Sequence, residues 1–325
     1  MAKPESYYIA FLDMLGTRAA ASSSDQEYTT AINDFNHAIA ICSEAHKGKV
    51  YGYSDNAYVQ FYSLNDLISF FQSLRDTLMF QHHYFCAAAD VGKLSKGSEP
   101  FTQGDNYCFM KFTSKSAVIV YRMQTQYTGI GIFLSHAIVR HLQKEGMEGS
   151  FCSSICLQNN FVNGEFDYLS VYDISYPDIS VDKLKYVLSD YLITTATNPR
   201  AGRYYVTPII SMIKCCSQDI FANDSDFKEI INLLSFKSIP TYFQTLSHNE
   251  TYSIYFLFAL IESVLSPIVS ASTSIIDVTN ICEKIINNFN VPPEKLIAAL
   301  PSISLSIISE KNKRYFLSIL YNMHD

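Results

Sequence analysis

Two aspartates stand where a carboxylate can do more than cap a turn. Asp13 ends an apolar run in Phe11-Leu12-Asp13-Met14-Leu15-Gly16-Thr17, and Asp55 lies near the tip of Tyr51-Gly52-Tyr53-Ser54-Asp55-Asn56. If the run is the first strand of a β-α-β-β unit and the second segment is its hairpin, the end of one strand meets the turn of the other. Carboxylates on adjacent strand ends suit a pair of Mg²⁺ or Mn²⁺ ions held about 3.5–4 Å apart. The backbone after Asp13, bent by Gly16, offers the Met14 carbonyl as a further ligand, and amides from Met14, Gly16 and Thr17 to phosphate oxygens. The competing reading is two turn aspartates that accept local N–H bonds.

The elements that must position these residues follow from hydrophobic period. Tyr7–Leu12 reads as a short apolar strand, and Glu27–Cys42 as a helix with Tyr28, Ile32, Phe35, Ile39 and Cys42 on one face. Val50–Tyr53 and Ala57–Tyr62 read as strands joined by Asp/Asn turn chemistry. Asn65–Leu78 is a helix, Tyr84–Val91 a small-residue strand, and a loop is expected to about Asn106. A helix over Ser114–Gln124, a strand at Gly131–Leu134, a helix capped by Ser135, and a hairpin of Phe151–Cys156 with Tyr168–Tyr172 complete the series. The order β-α-ββ-α-β-α-β-α-ββ predicts an α+β sandwich of ferredoxin-like plan with additions.

Eleven of the 12 glycines lie at or before Gly164, and eight of the 10 prolines at or after Pro177. This shift predicts a first domain over 1–176 and an α-helical domain over 177–325, with helices near 182–196, 205–218, 225–235, 249–269, 274–288, 294–299 and 303–321. The second domain carries no motif that attaches to chemistry. Its expected work is packing or sensing.

Composition narrows the function classes. The 325 residues are 48% hydrophobic, with 23 Tyr, 22 Phe and no Trp, enough for a large core without disulfide or zinc staples. The net charge is −7, and both domains are acidic (12 basic against 17 acidic residues, then 12 against 14), which excludes a long nucleic-acid track. Eight cysteines without a CxxC, and no signal-peptide pattern at the start, predict a reducing cytoplasm. The apolar run Ile254–Ile268 is interrupted by Glu262, Ser263, Ser266 and Pro267, so it reads as a buried helix rather than a membrane span. Neither His82-His83 nor His136 with His141 has the spacing for a shared metal, and Gly129-Ile130-Gly131 lacks the context of a dinucleotide loop. Cys42 and Cys86 read as small core hydrophobes.

The ordered series Phe11-x-Asp13-x-x-Gly16, Ser54-Asp55, Ala88-Ala89-Asp90-Val91-Gly92, Ser114–Gln124, Gly131–Ser135 and Leu169–Ile174 resembles the class III nucleotidyl cyclase catalytic domain. More narrowly, it resembles the bacterial Pycsar pyrimidine cyclases of antiphage defence. The resemblance implies conversion of a nucleoside triphosphate to its 3′,5′-cyclic monophosphate and pyrophosphate with two Mn²⁺ or Mg²⁺ ions. It implies Asp13 and Asp55 as metal-binding aspartates and Arg122 as the arginine that stabilises charge on the α-phosphate. It also implies a homodimer with two shared sites, in which the Ser114–Gln124 helix flanks the other end of the domain and Arg122 reaches the partner's aspartates. Neither nucleic acid nor membrane is an expected partner. At the base-reading positions Tyr51 and Lys111 replace the residues of purine cyclases, and Val118 replaces the ribose-positioning Asn. Tyr51 narrows the pocket towards a one-ring base, and its hydroxyl serves uracil or cytosine alike. No lysine corresponds to the family's terminal-phosphate ligand. Two other readings remain compatible: a catalytically degenerate cyclase-fold scaffold, and a palm-fold synthase of cyclic oligonucleotides.

Overall fold

The computed structural model describes residues 7–17, 22–95, 101–104, 107–110, 112, 114–127, 129–162, 165–198, 201–222, 224–234, 249–270, 275–289, 291–303, 305 and 307–324. The chain divides into two compact units, Met1–Ser153 with Val171–Ser175, and Ser154–Ser170 with Tyr176–Asp325. The outer part of the last hairpin thus groups with the helical unit, whereas composition alone puts it in the first domain.

The first unit opens with β1 (Tyr8–Met14), α1 (Asp25–Ala45), β2 (Lys49–Tyr53), β3 (Asn56–Phe61), α2 (Leu64–Met79) and β4 (Phe85–Val91). It continues with β5 (Phe101–Gly104), β6 (Tyr107–Met110), α3 (Lys115–Gln126), β7 (Gly131–Leu134) and α4 (His136–Lys144); β8 (Phe151–Val162) and β9 (Glu165–Ile174) follow, with only their ends at Phe151–Ser153 and Val171–Ile174 in this unit. Seven strands form one sheet in the order β2-β3-β1-β4-β7-β9-β8. β1 is central and antiparallel to both β3 and β4, while β4 and β7 run parallel, which requires the long crossover that contains α3. This is the α+β arrangement expected from the order of elements.

Alternation along β1 assigns the two faces. Tyr8, Ala10, Leu12 and Met14 join Phe35 and Ile39 of α1, Phe70, Phe71 and Leu74 of α2, and Ile138 and Leu142 of α4 in the main core. Ile9 and Phe11 face the other way, against Ala117 and Val120 of α3. Ser24, Ser63, Ser114 and Ser135 each accept an N–H at the start of their helices, the capping chemistry that fixes where α1, α2, α3 and α4 begin.

The expected loop to Asn106 is corrected in part: Phe101–Gly104 and Tyr107–Met110 pair as the two-stranded β5–β6 sheet, with Gly104 opposite Tyr107.

The second unit contains α5 (Val181–Thr197), α6 (Gly202–Ala222), α7 (Asp224–Leu234), α8 (Asn249–Ser270), α9 (Ile275–Phe289), α10 (Pro293–Ala299) and α11 (Glu310–His324). The apolar run of α8 is an interior helix, with Leu257, Phe258 and Ile261 buried and Phe258 set edge-on to Phe316 of α11 at 5.7 Å. Among the described residues, no helix is long and apolar enough to cross a membrane. The last helix begins later than its expected start at 303. Ser309 is its cap, and Glu262 of α8 accepts the Ser309 N–H at 3.1 Å and the Asn312 amide at 2.9 Å.

Candidate active site

The first strand and the central hairpin meet at their ends. Asp13 of β1 stands opposite Asn56 of β3, and the next residue, Met14, donates its N–H to the Asp55 carbonyl at 2.8 Å. That bond ties the backbone of one aspartate's neighbour to the other aspartate, so Asp13 and Asp55 share one end of adjacent strands. Both are partly exposed. Beyond them Leu15 donates to the Tyr84 carbonyl, and Gly16 turns the chain at a φ of +88°, a left-handed conformation that favours glycine. Thr17, directly after it, is helical.

The hairpin turn is less comfortable. Ser54 adopts a φ of 54°, a region that costs an L-residue about 1–2 kcal/mol. Two residues of α1 hold it there: the Tyr28 hydroxyl lies 3.2 Å from Ser54 Oγ, and Asn36 Nδ2 donates to the Ser54 carbonyl at 3.3 Å. Ser54→Gly is expected to raise the melting temperature by the equivalent of about 0.5–1 kcal/mol, and Ser54→Val to lower it. Equal melting of the two variants would show that the turn is not strained.

Asp13 lies on the sheet face covered by α3, as do Phe11, Tyr51 and Tyr58. Tyr51 faces Tyr58 across the β2–β3 ladder. Tyr51 meets the Phe112 ring edge-on at 6.1 Å, and Tyr58 lies 4.3 Å from Phe112 and 4.7 Å from Phe11. Burial pushes the Tyr58 hydroxyl above its ordinary pKa, with Tyr121 adding to the shift, so it remains a neutral donor or acceptor at physiological pH. Tyr51 therefore projects from an aromatic wall rather than from bare strand. Lys111 lies outside the described residues.

Helix α3 reaches Asp13 directly. Gly92 at the end of β4 lets its first turn approach: a Cβ there would fall 2.1 Å from Ser116 Oγ, which donates to the Val91 carbonyl at 3.1 Å. In the last turn, Gln124 Nε2 donates to Asp13 Oδ2 at 3.2 Å. The expectation that this helix flanks the far end of the domain is thereby overturned. What turns Arg122 outward is helical phase: two residues from Gln124 correspond to about 200° of rotation, and Arg122 is exposed while Gln124 is buried. Val118 shares the outer side with Arg122 and is 48% exposed, whereas Tyr121, 49% exposed, sets its ring edge-on to Phe11 at 5.4 Å.

Among the described residues no group of three or more His, Cys, Asp or Glu could hold a metal ion. The oxygen set of Asp13, Asp55 and the Met14 carbonyl still fits Mg²⁺ or Mn²⁺, hard cations that take only one or two protein carboxylates and complete their shells with substrate phosphates and water. Sequence reasoning passed over Gln124, although a signal was present. It is the polar member of the stripe Ala117, Val120, Gln124 that buries α3.

No family profile matches the chain, and no curated protein matches it in sequence. Solved structures similar to it include a guanylyl cyclase at 14% identity, covering 52% of this chain and 91% of that one, with a TM-score of 0.40. The adenylyl cyclase of P. aeruginosa is similar at 10% identity, over 54% of this chain and 97% of that one, with a TM-score of 0.39. The guanylate cyclase domain from Catenaria anguillulae, solved with GTP, is similar at 11% identity, over 53% and 96%, with a TM-score of 0.37.

Proposed function

We propose that this chain is a pyrimidine nucleotide cyclase that converts UTP or CTP to the 3′,5′-cyclic monophosphate and pyrophosphate, as a cytoplasmic source of second messenger in antiphage defence. The observation that carries the reading is the Met14–Asp55 backbone bond, which draws two aspartates to one end of adjacent strands, on the side where Tyr51 stands.

Asp13, Asp55 and the Met14 carbonyl hold two divalent ions in this reading. Once bound, such ions lower the pKa of the ribose 3′-hydroxyl and offset triphosphate charge. The amides of Gly16 and Thr17 orient the phosphates, whereas the Met14 N–H expected to join them is taken by the Asp55 carbonyl; Lys111 stands at a base-reading position. Tyr51, backed by Phe112 and Tyr58, closes the base site to a second ring and offers one rotatable hydroxyl to uracil or cytosine. Arg122 points away from its own sheet, so it serves the site of a twofold partner, where it stabilises charge developing on the α-phosphate oxygens.

Purified protein with Mn²⁺, incubated separately with ATP, GTP, CTP and UTP, is expected to yield a cyclic mononucleotide from a pyrimidine substrate alone, as read by mass spectrometry. A purine product would overturn the assignment of Tyr51, and a cyclic di- or oligonucleotide would favour the palm-fold synthase. The scaffold reading is favoured by aliphatic Val118 at the ribose position. It predicts no product from any of the four.

A further inference from the structure

We infer that Gln124 is a positioning residue for the metal-binding carboxylate of Asp13, an inference that rests on the two-metal reading above. Asp13 and Cys86 are cross-strand partners on β1 and β4. Both are engaged by Gln124. Its side-chain amide donates to Asp13 Oδ2 at 3.2 Å, while its backbone carbonyl lies 3.8 Å from the Cys86 thiol, which donates to the Tyr127 carbonyl at 3.0 Å. The thiol pins the end of α3 to β4, and the pinned helix end presents the amide to the neighbouring strand.

The arrangement has chemical consequences. Gln124 is only 8% exposed, so its amide has few alternative partners and little freedom to leave the carboxylate. An amide donor on Oδ2 holds the carboxylate in one orientation and restrains the rotation that would otherwise be lost on metal binding. A Glu in its place could not donate when ionised and would set a second negative charge beside Asp13. Because the same helical turn carries Arg122 outward, Gln124 also fixes the base from which that arginine extends.

The test reads metal binding rather than turnover. Mn²⁺ is titrated into the full chain without nucleotide, and free Mn²⁺ is followed by electron paramagnetic resonance, for wild type, Gln124→Met, Gln124→Asn and Asp13→Asn. Methionine keeps the volume but cannot donate; asparagine keeps the amide but falls one methylene short. Both Gln124 variants are expected to bind Mn²⁺ about 10-fold or more weakly, the usual loss when an outer partner of a ligand is removed. Thermal melts without metal accompany each titration, and either variant suffices if the other fails to fold. Wild-type affinity in a folded Gln124 variant, beside lost binding in Asp13→Asn, would overturn the positioning role and leave the metal site intact. No specific Mn²⁺ binding by the wild type would remove both.

Discussion

Asp13→Asn and Asp55→Asn are each expected to reduce cyclic nucleotide production to the level of a reaction without enzyme, while the protein stays folded. The structure gives reasons for both halves of that statement. An asparagine at 13 still presents a side-chain oxygen to the Gln124 amide, and the bond that anchors residue 55 to Met14 uses its backbone carbonyl, which the substitution leaves in place. Either change removes a negative ligand from the pair, and hard divalent ions depend on such charge. Without metal the variants should melt at or slightly above the wild-type temperature, because neighbouring carboxylates repel one another. The contrast should come on adding Mn²⁺. At 100 times the dissociation constant, binding stabilises the wild type by about 2.7 kcal/mol, a gain the variants lack. Activity near wild type in either variant would end the two-metal assignment.

The second large effect concerns Arg122. Arg122→Ala alone is expected to cost about 10²–10³ in rate, the usual loss for one donor that stabilises transition-state charge. Co-expressed with Asp55→Asn, however, it should regain activity. In a twofold dimer the heterodimer carries one site with both defects and one site with neither. If the sites work independently, each heterodimer reaches about half of wild type, the share set by one intact site of two. The outer side of α3 is suited to such a contact, because half-exposed Val118 stands beside Arg122 there. Purified heterodimers that remain inactive would show either that Arg122 acts in its own chain or that the two sites are tightly coupled. A protein that sediments as a monomer at assay concentration would exclude the shared site.

Some of this was legible in the residues because it is local. The strand ending at Asp13, the turn at Ser54-Asp55, the bend at Gly16 and the serine caps each depend on a few neighbouring residues whose backbone preferences act over one turn. The pairing of the two aspartates followed from one topological inference, that the first strand lies beside the central hairpin. The buried face of α3 was readable too, since period 3.6 marks Ala117 and Val120.

The tertiary structure decided what depends on the placement of elements far apart in the chain. Gln124 meets Asp13 across 111 positions, and Glu262 caps the helix at Ser309 across 47. No local preference encodes either contact. Sliding α3 along the sheet by one turn would move Gln124 about 5.4 Å, beyond hydrogen-bonding reach of Asp13. What prevents that slide is the close approach at Gly92, where only a missing side chain lets Ser116 reach the Val91 carbonyl. The glycine was visible in the sequence as the end of a strand. That it sets the register of the helix carrying both Gln124 and Arg122 is a property of packing, because close-packed surfaces admit few alternative registers.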